Sequence, residues 1–364
     1  MALDGIVISS LVKEFNETLT GGKIAKIAQP ENDELLLTIK NFRTQYRLLI
    51  SAGASLPLIY LTGDNKPSPM TAPNFCMLLR KHIANGKILR IWQPGLERII
   101  HFEIEHLNEL GDLCHKVLTV EIMGKHSNII FCDDGNRIID SIKHVGAQMS
   151  SVREVRPGRE YFIPHTQDKE DPLNITEERF RETVLSKPLP LSKALYMTLT
   201  GISPLIAEEI CHRASLESDQ SANSFSDTEA THLYHTLARL MEDVKSGHFT
   251  PSVVYDGREP LEFSSVLLTL YHDKRTETFD SISVVLENYY AMKNTITRIR
   301  QRSSDLRRIV NTALERNRKK YELQLRQLKD TEKREKFRVY GELINTYGYG
   351  LEPGAKKLEA LNYY

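Results

Sequence analysis

The chain has 364 residues, 40% of them hydrophobic, with 48 basic and 48 acidic side chains and a formal net charge of zero. That length admits two or three domains, and no run approaches the roughly 18 apolar residues that a membrane span needs. Four cysteines, Cys76, Cys114, Cys132 and Cys211, stand far apart with no CxxC pair, and the 12 histidines form no HExxH. Reduced, mostly buried thiols are expected, with no structural metal and no cofactor.

The first fifteen residues carry Asp4 early and Lys13-Glu14 after a short apolar stretch. They lack the basic start and long apolar core of a signal peptide, so a cytoplasmic location and no membrane partner are expected. Val7 to Leu19 reads as a helix stopped by Gly21-Gly22. Strand-like stretches follow at Lys23–Gln29, Asp33–Lys40, Gln45–Ser51 and Leu58–Thr62. Ala72–Ala84 reads as a second helix, with Phe75, Leu78, Leu79 and Ile83 on one face and Pro73 in its first turn. Further strands are expected at Lys87–Gln93, Arg98–Glu105, Lys116–Met123, Asn128–Cys132 and Arg137–Lys143. The turn Asp133-Asp134-Gly135-Asn136 joins the last two. Nine short strands and two helices predict an antiparallel, sandwich-like domain over residues 1–165.

Residues 166–250 read as helical. Two short helices meet at Thr200-Gly201-Ile202-Ser203-Pro204, with Ser203 as N-cap and Pro204 at N1. Ser218–Asp227 reads as a mobile polar loop. Residues 251–290 return to a mixed pattern, with strand-like Val266–Tyr271. From Asn288 to about Tyr340 no Pro or Gly intervenes, and Ile299, Leu306, Val310, Leu314, Tyr321, Leu325 and Leu328 form one apolar stripe. The fold class is α+β, with a coiled-coil helix over 291–340 and a further segment over 341–364.

The zero net charge hides a segregation. Residues 166–297 carry 12 basic and 21 acidic side chains, whereas 298–338 carry 15 and 6. A basic helical arm beside an acidic middle region points to a polyanion contact. Arg307, Arg308, Arg318 and Lys319 on the arm, and Arg80-Lys81 on the second helix, are candidate phosphate contacts.

Catalytic patterns are lacking. There is no GxSxG, and Gly21-Gly22 precedes a strand rather than a helix, so it is not a phosphate-binding loop. Three segments offer binding chemistry instead. Gly201 can aim backbone N–H groups at a phosphate or simply permit a tight hairpin, and neighbouring Glu208 and Glu209 argue against a nucleic-acid role there. Lys125, His126, Ser127 and Asn128, after Met123-Gly124, gather cations, a hydroxyl and an amide in one connection; a plain polar turn is the alternative. Glu97-Arg98 opens a strand, and alternation puts Arg98 on the apolar face with Glu97 pointing away. Arg98 then snorkels to the rim and presents its fork to phosphate or a base edge, or else forms an ordinary edge ion pair.

Four segments, Ala2-Leu3-Asp4-Gly5, Lys23 to Pro30, Asn74 to His82 and Glu121 to Ile129, occur in the order found in the NFACT family, and together the chain resembles that family, which includes RqcH-like and fibronectin-binding protein A-like members. The resemblance covers the whole chain. It implies an N-terminal fold similar to that of formamidopyrimidine-DNA glycosylases, then a helix-hairpin-helix region, a return segment and the first half of a coiled coil. The second half and a C-terminal NFACT-R domain would lie beyond residue 364. Such glycosylases use an N-terminal Pro-Glu; the start here is Met1-Ala2-Leu3-Asp4, so that chemistry is not expected. RqcH-like proteins engage the large ribosomal subunit carrying a stranded peptidyl-tRNA and recruit tRNA, charged with alanine in bacteria, for untemplated C-terminal tailing. The family's tRNA-linked residues are an acidic residue near the N-terminus, matched by Asp4, and an Asp-Arg pair, which stands here as Glu97-Arg98. Glu still accepts a hydrogen bond from a base amine or ribose hydroxyl, with one more methylene to order. A non-enzymatic RNA-binding factor is therefore expected, with a surface adhesin as the alternative. An unpaired coiled-coil stripe implies that the helix either frays or pairs with another copy of the chain.

Overall fold

A computed structural model describes residues 3–164 and 168–364, the side chains of 294–305 excepted. The chain divides into two compact units, 1–293 and 294–364.

The first unit begins with helix α1 (Gly5–Thr18), whose buried face is Ile6, Val7, Ile8, Leu11 and Phe15. It stops where Gly21 takes φ +85°, a conformation that costs Gly no Cβ clash. Nine antiparallel strands follow: β1 (Lys23–Glu31), β2 (Glu34–Asn41), β3 (Thr44–Ser51), β4 (Leu58–Leu61), β5 (Lys87–Trp92), β6 (Ile99–Leu107), β7 (Leu113–Glu121), β8 (Asn128–Asp133) and β9 (Ile138–Ser141). Helix α2 (Asn74–Ile83) is inserted between β4 and β5.

The α+β expectation holds, and hydrogen bonding joins all nine strands in one sheet, β4-β3-β2-β1-β5-β6-β7-β8-β9. The seam between its halves is a single ladder pair, Lys23 with Lys87, reinforced by Ile24 N–H to Gly86 O and Ile88 N–H to Gly22 O, each 2.9 Å. Inward residues of both halves, such as Ile39, Ile50, Phe102, Leu118 and Phe131, pack with Phe15 of α1 and Leu79 of α2 in one core. Successive side chains alternate between the faces, and β2 and β8 are buried on both, the other face holding smaller clusters such as Ala28, Leu36 and Leu49, and Ile130, Cys132 and Ile138.

Helix α3 (Glu177–Phe180) runs into one π turn, Arg181–Leu185, and is followed by α4 (Leu191–Thr198), α5 (Pro204–Arg213) and α6 (Asp227–Ser246). Ser203 caps α5, and Ser226 with Glu229 forms a capping box on α6. These helices share a second core that also takes in Ile6 and Leu96 of the first region. Within the stretch read as a mobile polar loop lies a short 3-10 turn at Ala222–Ser224, and Leu191 N–H donates to Gln220 O at 2.8 Å. A three-stranded sheet follows, ordered β11 (Glu259–Ser264), β10 (Ser252–Asp256) and β12 (Arg275–Thr278).

Val266–Tyr271 is not a strand. Buried Val266 and Leu268 enter the second core, and a 3-10 turn covers Thr269–Tyr271. The cause is Glu209, fully buried on α5, whose carboxylate accepts Thr269 N–H at 2.9 Å and Leu270 N–H at 3.0 Å. Glu209 is thus a buried cap, paired with Arg213 at 2.6 Å, and not part of an acidic surface around Gly201.

Helix α7 (Ile282–Tyr347) starts in the first unit, where Ile282, Val285, Leu286 and Tyr289 are buried in the first core. In the second unit the apolar stripe of Leu306, Val310, Leu314, Tyr321, Leu325 and Leu328 is exposed; Ile299 lies outside the described residues. Arg307, Arg308, Arg318 and Lys319 are exposed as well, and Arg318 faces Glu322 at 3.6 Å. Among the described residues, no helix is long and apolar enough to cross a membrane.

Candidate nucleic-acid interface

Three backbone segments converge on one point: the start of α1, the turn before β6 and the α4–α5 turn. Gly5 N–H donates to Gly201 O at 2.9 Å. A Cβ on Gly5 would lie 2.2 Å from Leu96 O and 2.7 Å from the Gly201 Cα, and Gly201 itself has φ +74°. Gln93 ties the knot, its Nε2 donating to Gly5 O at 2.9 Å and to Glu97 O at 2.8 Å.

Asp4 sits inside this node at 8% exposure. Its Oδ1 accepts Ile6 and Val7 N–H as the N-cap of α1, and its Oδ2 accepts the Ser203 hydroxyl at 2.7 Å. Burial raises its carboxyl above the usual carboxylate range, against the pull of those hydrogen bonds. Its hydrogen bonds tie α1 to the helical hairpin.

Beside the node opens a cleft of about 460 Å³. Glu97 and Arg98, the turn Lys125 to Asn128, Lys143-His144, Arg153, Lys169 and Gly201 all line it. Among the described residues of the lining, Arg98, Lys125, Lys143 and Lys169 stand with one carboxylate, Glu97, while Arg153 is already paired with buried Glu121. In a chain of zero net charge, that lining is a local concentration of positive charge.

Arg98 is half-buried, and loss of water pulls its guanidinium pKa down while Glu97 and Asp4 hold it up. Both members of the Glu97-Arg98 pair line the cleft, so alternation misplaced Glu97. The strand begins only at Ile99, and Glu97 N–H closes a turn onto Pro94 O at 3.0 Å, where strand periodicity does not apply. Lys125 and His126 are exposed on a 3-10 turn that Gly124 enters at φ +59°. Ser127 and Asn128 are buried and serve that turn. Ser127 Oγ accepts Met123 N–H at 2.8 Å, and Asn128 bonds the backbone of Lys143 through both ends of its amide. They position Lys125 and Lys143 more directly than they offer groups of their own.

Lys143, His144, Arg153 and Lys169 were not singled out from sequence. Lys143 donates Nζ to Ala52 O, and Lys169 donates to Tyr196 O at 2.8 Å. Burial, then Arg98 and Lys187, lowers the Lys169 ammonium. Arg153 is paired with Glu121, which is 0% exposed and also accepts the Tyr161 hydroxyl at 3.0 Å. Arg80 and Lys81 do not line the cleft. Arg80 Nε donates to Ile27 O at 2.9 Å, and Lys81 pairs with Glu109 at 3.1 Å.

On the neighbouring sheet face, His101 is buried, with Nδ1 2.8 Å from Thr119 Oγ1. Burial pushes its pKa down to about 4. The folded chain therefore excludes a proton that the unfolded chain, titrating near 6.5, would bind. Stability from this residue is complete above about pH 6.5 and is lost as pH falls toward 4, by on the order of 3 kcal/mol. Thermal melts of His101→Phe should lose that part of the acid destabilisation, whereas an unchanged pH profile would contradict it.

The sequence of residues 4–364 matches the family model for NFACT N-terminal and middle domains. The chain is 37% identical over 367 residues to Rqc2 homolog RqcH of Bacillus subtilis, covering all of this chain and 62% of that relative, and 31% identical to Rqc2 homolog RqcH of Streptococcus suis, covering 61% of it. It thus spans less than two thirds of the length of these relatives. Among solved structures, the fibrinogen binding protein from Staphylococcus aureus aligns with TM-score 0.67 and 30% identity, over 80% of this chain and 99% of that one. A family match along nearly the entire chain, and a relative with this fold above 0.5 in TM-score, make this chain a member of the NFACT family.

Proposed function

We propose that this chain serves ribosome-associated quality control in the cytoplasm: it engages the large ribosomal subunit with a stranded peptidyl-tRNA and recruits tRNA, alanine tRNA by family resemblance, for untemplated C-terminal tailing. Relatives named Rqc2 homolog RqcH and, at 24% identity over 204 residues, the human ribosome quality control complex subunit NEMF support the setting. The observation that carries the reading is the cleft whose described lining sets Arg98, Lys125, Lys143 and Lys169 beside one carboxylate, Glu97. Cations neutralise phosphates and fix register. A lone carboxylate among them would repel phosphate, but it accepts hydrogen bonds from a base amine or ribose hydroxyl, which makes it a reader of RNA rather than of charge alone.

On this reading the site binds and orients RNA, and the peptide bond would be made by the ribosome. The alternative, a surface adhesin, has in its favour the names of fibrinogen-binding relatives, whereas the cleft chemistry favours a polyanion. The test is equilibrium binding of tRNA to the chain across salt concentrations. The logarithm of the affinity should fall by about 0.7–0.9 per logarithm of salt for each phosphate neutralised. A flat salt dependence would sink the reading.

A further inference from the structure

A second cavity, of about 320 Å³, lies on the outer sheet face and is lined by rings. Trp92 on β5 is the register partner of His101 on β6, which is the partner of Thr119 on β7. The Trp92 and His101 rings lie 4.9 Å apart, 32° from parallel, and Tyr161 meets His101 edge-on at 5.9 Å. Phe162, 49% exposed, forms the outer wall, and Asn136 brings an amide to the lining. We propose that this cavity is a second RNA subsite, which takes one unstacked nucleobase of a strand bound in the basic cleft.

Several observations favour a base over another apolar group. A base has a π face that stacks on an exposed ring such as Phe162 regardless of sequence. Its edges carry donors and acceptors that the side chain of Asn136, on the lining, can meet. Guanidinium groups bracket the row of rings: Arg90 lies over Trp92 at 4.7 Å, and Arg153 over Tyr161 at 5.5 Å. Cations beside stacking platforms match a ligand that alternates phosphate with ring. Arg153 also lines the basic cleft, and Tyr161 lines this cavity, while both are bonded to Glu121. One buried carboxylate thus fixes a wall of each opening, and a strand leaving the cleft past Arg153 would meet the rings next. The cavity is at the small end of ligand sites, which run from about 300 Å³, enough for one ring system and its sugar edge.

The inference rests on the RNA-binding reading, and the test separates the two. Trp92 is the single tryptophan of the chain, so its fluorescence reports this cavity alone. A short single-stranded RNA and an abasic strand of equal length and charge are titrated into the whole chain. The base-bearing strand should quench Trp92 saturably and the abasic strand should not. Phe162→Ala, at an exposed wall, should weaken the quenching-detected affinity by roughly 5–10-fold without changing the melting temperature. Equal quenching by both strands, or none by either, overturns the subsite. If tRNA binds with a steep salt slope while Trp92 stays silent, the subsite falls and the functional reading stands. If tRNA fails to bind while base-dependent quenching persists, the subsite stands and the tRNA reading falls.

Discussion

Glu121→Leu is expected to cost about 3–5 kcal/mol of stability and to lower the melting temperature by about 10 °C. Glu121 has no exposure, and its carboxylate serves Arg153 on one oxygen and the Tyr161 hydroxyl on the other. The Arg153 side chain is itself only 10% exposed. Removing the carboxylate leaves a desolvated guanidinium and a buried hydroxyl without their acceptor, and that penalty exceeds the value of the pair itself. Replacing both charged partners, as in Glu121→Leu with Arg153→Met, should recover most of the loss, because no unpaired charge remains buried. Melts of the two variants decide the matter: a single substitution that costs under about 1 kcal/mol would mean that Glu121 does not anchor Arg153.

Gly5→Ala carries the second large effect. Its Cβ would meet a backbone oxygen at 2.2 Å and a backbone Cα at 2.7 Å, neither at the end of a flexible side chain. Overpacking costs roughly 1–3 kcal/mol when side chains can shift. Here α1 and the α4–α5 turn must separate, so about 3 kcal/mol or more is expected. The Gly5–Gly201 hydrogen bond and the Asp4–Ser203 contact would open with it. Because Gly201 also lines the basic cleft, tRNA affinity should fall alongside stability. A Gly5→Ala chain with wild-type melting behaviour would show that the node is loose in solution.

Much of this was legible in the residues. All nine strands of the large sheet fall within a few residues of the stretches marked by alternation and turn chemistry, since period-2 burial is a local property of one sheet face. The Ser203-Pro204 start of α5 was legible because a capping hydroxyl and a missing N–H act within one turn. What escaped was whatever depended on distant partners. Strand Val266–Tyr271 failed because Glu209, some sixty residues earlier, captures the amides of Thr269 and Leu270. Asp4, Ser127 and Asn128 carry polar chemistry that reads equally as ligand binding or capping, and only burial with named partners separates the two. Half of the cleft was visible as Glu97-Arg98 and the Lys125–Asn128 turn. Lys143, Arg153 and Lys169 come from stretches without a motif, and only the fold brings them together.

Binding of tRNA in this cleft would engage Arg98 through its fork. The most direct measurement is tRNA binding by wild type, Arg98→Ala, Glu97→Ala and Glu97→Asp, each with its melting temperature recorded. Arg98 lines the cleft, is half-buried, and feels the charges of Glu97 and Asp4. Arg98→Ala should abolish tRNA binding with little change in melting temperature, Glu97→Ala should weaken it less, and Glu97→Asp should be tolerated. An Arg98→Ala chain that melts many degrees lower yet binds tRNA as tightly as wild type would make Arg98 a structural residue and would contradict the account.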